Sequence, residues 1–162
     1  MRIVVLASEA ARDELCSLLP EGVQVEGTGG LSALARHPEA DAVFDLEFQN
    51  SPERVRQLKA AGKPVFIHSL LHTLEETDPS FVRINAWPGC FGTLVEAAAR
   101  TGQRSGAEAI LQQLGREVEW LPDTVGFVTP RVIASIINEA YYAWGEGVST
   151  KEAIDTAMKL GT

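Results

Sequence analysis

The run Ile3-Val4-Val5-Leu6 is continuous, apolar and largely β-branched, the pattern of a parallel strand buried on both faces. Ser8 follows as an N-cap, and a helix is predicted over Ala10 to Leu19, stopped by Pro20. Val23 to Val25 reads as a shorter strand, and Gly27-Thr28-Gly29-Gly30 as a turn into a short helix around Leu31 to His37. Ala42-Val43-Phe44 resumes the strand pattern. Ser51-Pro52-Glu53 is a helix start with Ser at N-cap and Pro at the first helical position, and Gly62 closes that helix. Val65 to Ile67 and Phe81 to Ile84 are two further strands. Strands alternating with helices of roughly ten residues predict right-handed crossovers and an α/β fold built on a parallel sheet.

After Phe91 the pattern changes. Thr93 to Arg100 and Ser105 to Leu114 read as helices, the second with a capping box at Ser105 and Glu108. Glu117 to Leu121 is a last strand, about the sixth. A long helix follows over Val128 to Gly145, and a final one starts at Ser149-Thr150-Lys151-Glu152 and ends at Gly161. The long helix carries Val132, Ile133, Ile136, Ile137, Tyr141 and Trp144, more than one apolar stripe. Its second face needs cover, and the expected cover is another copy of the chain, a homodimer.

Composition narrows the class. The 162 residues, 45% of them apolar, suffice for one domain with a real core. A net charge of −8, from 14 Lys+Arg against 22 Asp+Glu, argues against nucleic acid or an anionic membrane as partner. It also weighs, less strongly, against a deep polyphosphate cradle. Cys16 and Cys90 form no disulfide framework and point to a reducing, cytoplasmic setting. The apolar stretch Ile3 to Ala7 is too short for a signal peptide or a membrane span.

Asp123-Thr124-Val125-Gly126-Phe127-Val128, then Arg131, Asn138-Glu139-Ala140 and Ile154-Asp155-Thr156-Ala157-Met158-Lys159-Leu160-Gly161, resemble the 3-hydroxyacyl-CoA dehydrogenase family. In that family these blocks open the helical dimerisation domain that follows an NAD-binding domain. Ala40 to Phe44 resembles its fourth strand, and Pro88 with Leu94-Val95-Glu96 resembles the block around its catalytic histidine and glutamate. The resemblance implies a Rossmann-like domain over residues 1–122, shortened, with helices on both faces of the sheet. Residues 123–162 would begin the helical dimerisation domain. It also implies NAD as cofactor if the protein is active, and acyl-CoA or a nucleotide as a possible ligand.

The departures from the family decide what is expected of the chemistry. Leu6, Ser8 and Ala11, with Glu9 among them, stand where the family's G-x-G-x-x-G lets backbone approach the pyrophosphate. Counting back from Glu96 puts the family's histidine on Ile84 and a nearby asparagine on Trp87. The helix-start asparagine becomes Pro130, and the substrate-holding serine falls on or near Leu71. Glu96 alone remains of that set. His68, Ser69 and His72, at the carboxyl end of a parallel strand, are the other catalytic candidates, with either histidine a substitute base. If their segment were helical, the two histidines would share a face suited to a metal, but a third ligand is not evident and no metal is expected. Ser8, Glu26, Asp45 and Gln49 are the cofactor-side candidates: Glu26 at the ribose-binding position, Gln49 where the family has a glutamate near the nicotinamide. Each also reads as an ordinary cap or strand-end polar group. Cys90, in a tight turn expected to lead into a helix, is a thiol that a helix N-terminus would acidify, or simply a packed one. Three functions are therefore expected in turn: a dehydrogenase-like protein whose NAD binding and activity are lost or reduced; an active NAD-dependent 3-hydroxyacyl-CoA (3-hydroxybutyryl-CoA) dehydrogenase with an altered site; a non-catalytic dimeric binding or regulatory module.

Overall fold

In the computed structural model the first apolar run forms β1 (Arg2–Leu6), with four of its five residues buried. The chain is described over residues 1–27 and 30–161 and divides into two units, Met1–Phe127 and Val128–Thr162. The segment Asp123 to Phe127 thus packs with the α/β unit, so the division falls a few residues later than the 122/123 boundary read from the sequence.

The first unit continues with α1 (Glu9–Cys16), β2 (Gln24–Gly27), a 3₁₀ segment (Leu31–Arg36) and β3 (Ala42–Asp45). Then come α2 (Pro52–Ala60), β4 (Val65–His68), β5 (Val82–Ile84), β6 (Leu94–Ala98), α3 (Thr101–Gln113) and β7 (Glu117–Trp120). The strands form one seven-stranded sheet in the order β2-β1-β3-β4-β5-β6-β7. The pairs from β2 through β5 are parallel, β5 and β6 are antiparallel, and β6 and β7 are parallel. From β1 the chain goes to one side for β2 and to the other for β3. Their carboxyl ends therefore open a crevice at β1/β3, where open α/β sheets bind ligands.

Strand alternation sorts the apolar residues into two cores. Ile3, Val5, Phe44, Phe66, Val82 and Ile84 face one side with Leu15 of α1 and Leu111 of α3. Val4, Leu6, Val43, Val65 and Ile67 face the other with Leu58 of α2. Phe44 and Phe66, in register on neighbouring strands, stack with ring centres 4.4 Å apart; burying side chains of this size contributes about 1.5–3 kcal/mol each.

Three expectations are corrected. Thr93 to Arg100 is not a helix: Leu94–Ala98 is strand β6. Its alanines favour a helix in isolation, but Ala97 and Ala98 are both fully buried in a strand paired with β5 on one side and β7 on the other. Tertiary context overrides propensity here. Helix α3 consequently starts at Thr101, and Ser105 lies in its second turn, not at a cap. Helix α1 ends at Cys16, short of Leu19, where Ser17 Oγ donates to the Glu14 carbonyl, 2.8 Å, a local bond that competes with helix continuation. The Ser51 cap with Pro52 stands as read, its Oγ accepting the Arg54 N–H at 3.3 Å.

The second unit consists of α4 (Thr129–Gly145) and α5 (Lys151–Gly161), as the periodicity predicts. No described helix is long and apolar enough to cross a membrane.

Candidate functional site

The carboxyl ends of β1 and β3 frame the crevice that a dinucleotide would use. Ser8 caps α1, its Oγ accepting the Ala11 N–H at 3.4 Å, and Glu9 stands in the first turn. Both are exposed. The positive end of the helix dipole, which elsewhere draws a phosphate, is thus met by the protein's own carboxylate. At the end of β2, half-buried Glu26 precedes Gly27, over which the Arg12 guanidinium lies: a Cβ on Gly27 would come within 2.7 Å of Arg12 Nη1. The rest of that turn, Thr28 and Gly29, lies outside the described residues.

Asp45 ends β3 in register with Leu6 and is completely buried. Arg54 of α2 grips it with two bonds, Nε to Oδ2 at 2.6 Å and Nη2 to Oδ1 at 2.7 Å. Burial pushes the Asp45 carboxyl above its ordinary range, and the Arg54 guanidinium pulls against that. Both oxygens face Arg54, a geometry that serves packing. Gln49 is exposed on the following loop.

A second polar group gathers at the ends of β4, β5 and β6. His68 ends β4, half-buried, and its Nδ1 accepts the Ala86 N–H at 3.0 Å. That bond is one the neutral ring with its proton on Nε2 makes, while the Ile84 carbonyl lies 3.4 Å from the same atom; burial lowers the His68 pKa. Ser69 is buried and its Oγ donates to the His72 carbonyl at 3.0 Å. The segment from Ser69 to His72 is not helical, so the two histidines do not share a helix face. Among the described residues no three His, Cys, Asp or Glu side chains converge as metal ligands.

Glu96, half-buried on β6, meets a residue the sequence reading passed over. Asn85 Nδ2 donates to Glu96 Oε2 at 3.0 Å, while Asn85 Oδ1 accepts the Trp87 N–H at 3.2 Å. Asn85 is 1% exposed. Ile84, the position given by counting back from Glu96, is buried in the core instead. The missed signal was the strand character of Leu94 to Ala98, because antiparallel pairing of Ile84 with Ala97 brings Asn85 opposite Glu96. Leu71, the other substituted position, is 74% exposed.

Cys90 does not precede a helix. Its thiol is pushed up by burial and by the Glu96 and Glu14 carboxylates, with a hydrogen bond to Asn85 opposing them. Glu14 reaches across from α1 to accept the N–H groups of Gly89 and Phe91 at 3.0 and 3.2 Å. The loop bearing Cys90 is thereby pinned to α1.

The segment leading to α4 is fastened in the same way. Arg83 of β5, fully buried, pairs with Asp123, donates twice to the Ser69 carbonyl and lies 4.8 Å from the Phe127 ring centre. Asp123 also accepts the Leu74 N–H at 2.7 Å. In the second unit, Ile137, Tyr141, Trp144, Ile154 and Met158 line an open apolar groove of about 330 Å³ between α4 and α5.

Comparison with known proteins gives one family, two curated relatives and one solved structure of note. Residues 126–162 match the model of the 3-hydroxyacyl-CoA dehydrogenase C-terminal domain. A probable 3-hydroxybutyryl-CoA dehydrogenase of Bacillus subtilis is 45% identical over 53 residues, 33% of this chain and 18% of that protein. A 3-hydroxyadipyl-CoA dehydrogenase of Escherichia coli is 42% identical over 145 residues, 82% of this chain and 30% of that protein. The chain thus spans less than a third of the curated relatives it matches. Among solved structures, an (S)-3-hydroxybutyryl-CoA dehydrogenase of Ralstonia eutropha superposes with a TM-score of 0.69 at 16% identity, covering 99% of this chain and 77% of that one.

Proposed function

We propose that this chain, similar over residues 126–162 to the C-terminal domain of 3-hydroxyacyl-CoA dehydrogenases, is a 3-hydroxyacyl-CoA dehydrogenase-like protein whose NAD binding and dehydrogenase activity are lost or strongly reduced. One observation carries the reading: Glu96 is hydrogen-bonded to Asn85, which is buried and bonded through both its amide nitrogen and its amide oxygen. A base for a hydroxyl proton must accept the proton and hold it, and a carboxamide, though its oxygen accepts a hydrogen bond, does not hold a proton at neutral pH. The Asn85 amide donates to Glu96 and accepts from Trp87, so its polar atoms are engaged within the fold. Binding sites differ in keeping a few polar groups turned toward the ligand.

The residues of the β1/β3 crevice do not fit a dinucleotide either. A pyrophosphate at the start of α1 would meet Ser8 and the like charge of Glu9, and Asp45 is engaged by Arg54 on both oxygens. The helical pair is retained on this reading for self-association: its exposed Ile137, Tyr141 and Trp144 would be covered by the same face of a second copy.

Thermal denaturation with millimolar NADH tests the cofactor side. No shift is expected, whereas a stabilisation of about 2.7 kcal/mol, the effect of a ligand at roughly 100 times its Kd, would overturn the proposal. Turnover of acetoacetyl-CoA that disappears in His68→Ala would instead favour an altered but working site. Sedimentation at micromolar concentration should give a dimer that Trp144→Ser weakens; a wild-type monomer would refute the proposed pairing.

A further inference from the structure

We infer that His68 is a proton-operated clasp on the segment from Asn85 to Phe91: the neutral ring holds the segment closed, and protonation loosens it. The geometry around Nδ1 is the basis. It accepts the Ala86 N–H at 3.0 Å, and the Ile84 carbonyl lies 3.4 Å from the same atom. A neutral ring with its proton on Nε2 uses the first contact; a doubly protonated ring can use only the second, and then presents Nδ1–H against the Ala86 N–H. One proton therefore exchanges a bond to the segment for a bond within the strand that precedes it.

The segment is suited to a local response. It is irregular in structure: Asn85 anchors its start to Glu96 through backbone and side chain, and beyond that it is tied by Ala86 to His68 and by Gly89 and Phe91 to Glu14. The charged groups around His68 do not supply a competing partner for the new charge. On the flanking strands, Asp45 of β3 and Arg83 of β5 are both in register with Ile67, so alternation turns them to the opposite face. They are tied there to Arg54 and Asp123. From β6, Glu96 bonds to Asn85. From α1, Glu14 bonds to the Gly89 and Phe91 N–H groups. His72, on the same loop as His68, and Cys90, inside the segment, are the remaining titratable groups nearby.

The sign follows from burial. His68 is held below its ordinary pKa in the folded chain, chiefly by desolvation, so the clasp is complete at neutral pH and is lost as pH falls through the folded value. Each unit of depression corresponds to a tenfold change in the opening equilibrium.

Amide exchange read residue by residue on the full chain tests this, as protection factors corrected for intrinsic pH dependence. Protection at Ala86, Trp87, Gly89 and Phe91 should fall progressively as pH is lowered from 7.5 through the range in which His68 protonates, while Phe66 and Val43 in the core change little. His68→Asn places an amide oxygen near the Nδ1 position, so protection there should lose its pH dependence. An equal fall in that variant would overturn the clasp. If the variant does not fold, nitrogen chemical shifts of the wild-type imidazole decide: a proton on Nδ1 at pH 7.5 refutes the inference, and one on Nε2 supports it.

Discussion

Replacing Arg54 with Met strands the Asp45 carboxylate in the interior, and the cost can be worked from the geometry. Asp45 is fully buried, and Arg54, whose side chain is 20% exposed, supplies two short bonds to it. Removing one partner of a buried pair costs roughly 3–5 kcal/mol; the partial exposure of Arg54 favours the low end, about 3 kcal/mol. For a chain of this size, that is a drop in melting temperature of roughly 6–12 °C. The pH dependence has a definite sign. Burial already raises the Asp45 pKa, and losing Arg54 raises it further, so the folded variant binds a proton that the unfolded chain releases. Its stability then declines as pH rises through that interval, and the gap to wild type should narrow as pH is lowered toward 5. Asp45→Asn combined with Arg54→Met removes the stranded charge and should recover more than half of the loss. The measurement is thermal and urea unfolding at pH 5 and pH 7.5. A loss under about 1 kcal/mol for Arg54→Met, or a double variant no better than the single one, would refute the argument.

Other substitutions test other parts of the fold. Asp123→Asn keeps the shape but removes the charge opposite fully buried Arg83, and should cost about 3 kcal/mol, read by urea unfolding. Ala97→Leu puts extra methylenes at a fully buried strand position and should cost roughly 1–3 kcal/mol in the same assay. Were residues 94–98 an amphipathic helix, as their composition suggests, a leucine there would be tolerated. Ser51→Ala removes the cap of α2 and should cost about 1 kcal/mol.

By itself the sequence determined what local chemistry controls. The apolar runs at Ile3, Ala42 and Val65, the Ser51-Pro52 helix start, and the two C-terminal helices all stand where their patterns put them, because period, capping and proline stereochemistry act over a few residues. The family resemblance was legible too, in the spacing from Asp123 to Gly161, as was the absence of glycines in the first turn. What only the tertiary structure decided were contacts between distant segments. Residues 94–98 became a strand through pairing with β5 and β7, and that strand's register set Asn85 against Glu96 and left Ile84 in the core. Asp45 looks like any strand-end acid until Arg54 closes over it. Side-chain identity is local, but burial and partnership belong to the assembled sheet, and these govern whether a polar group is open to a ligand or already satisfied.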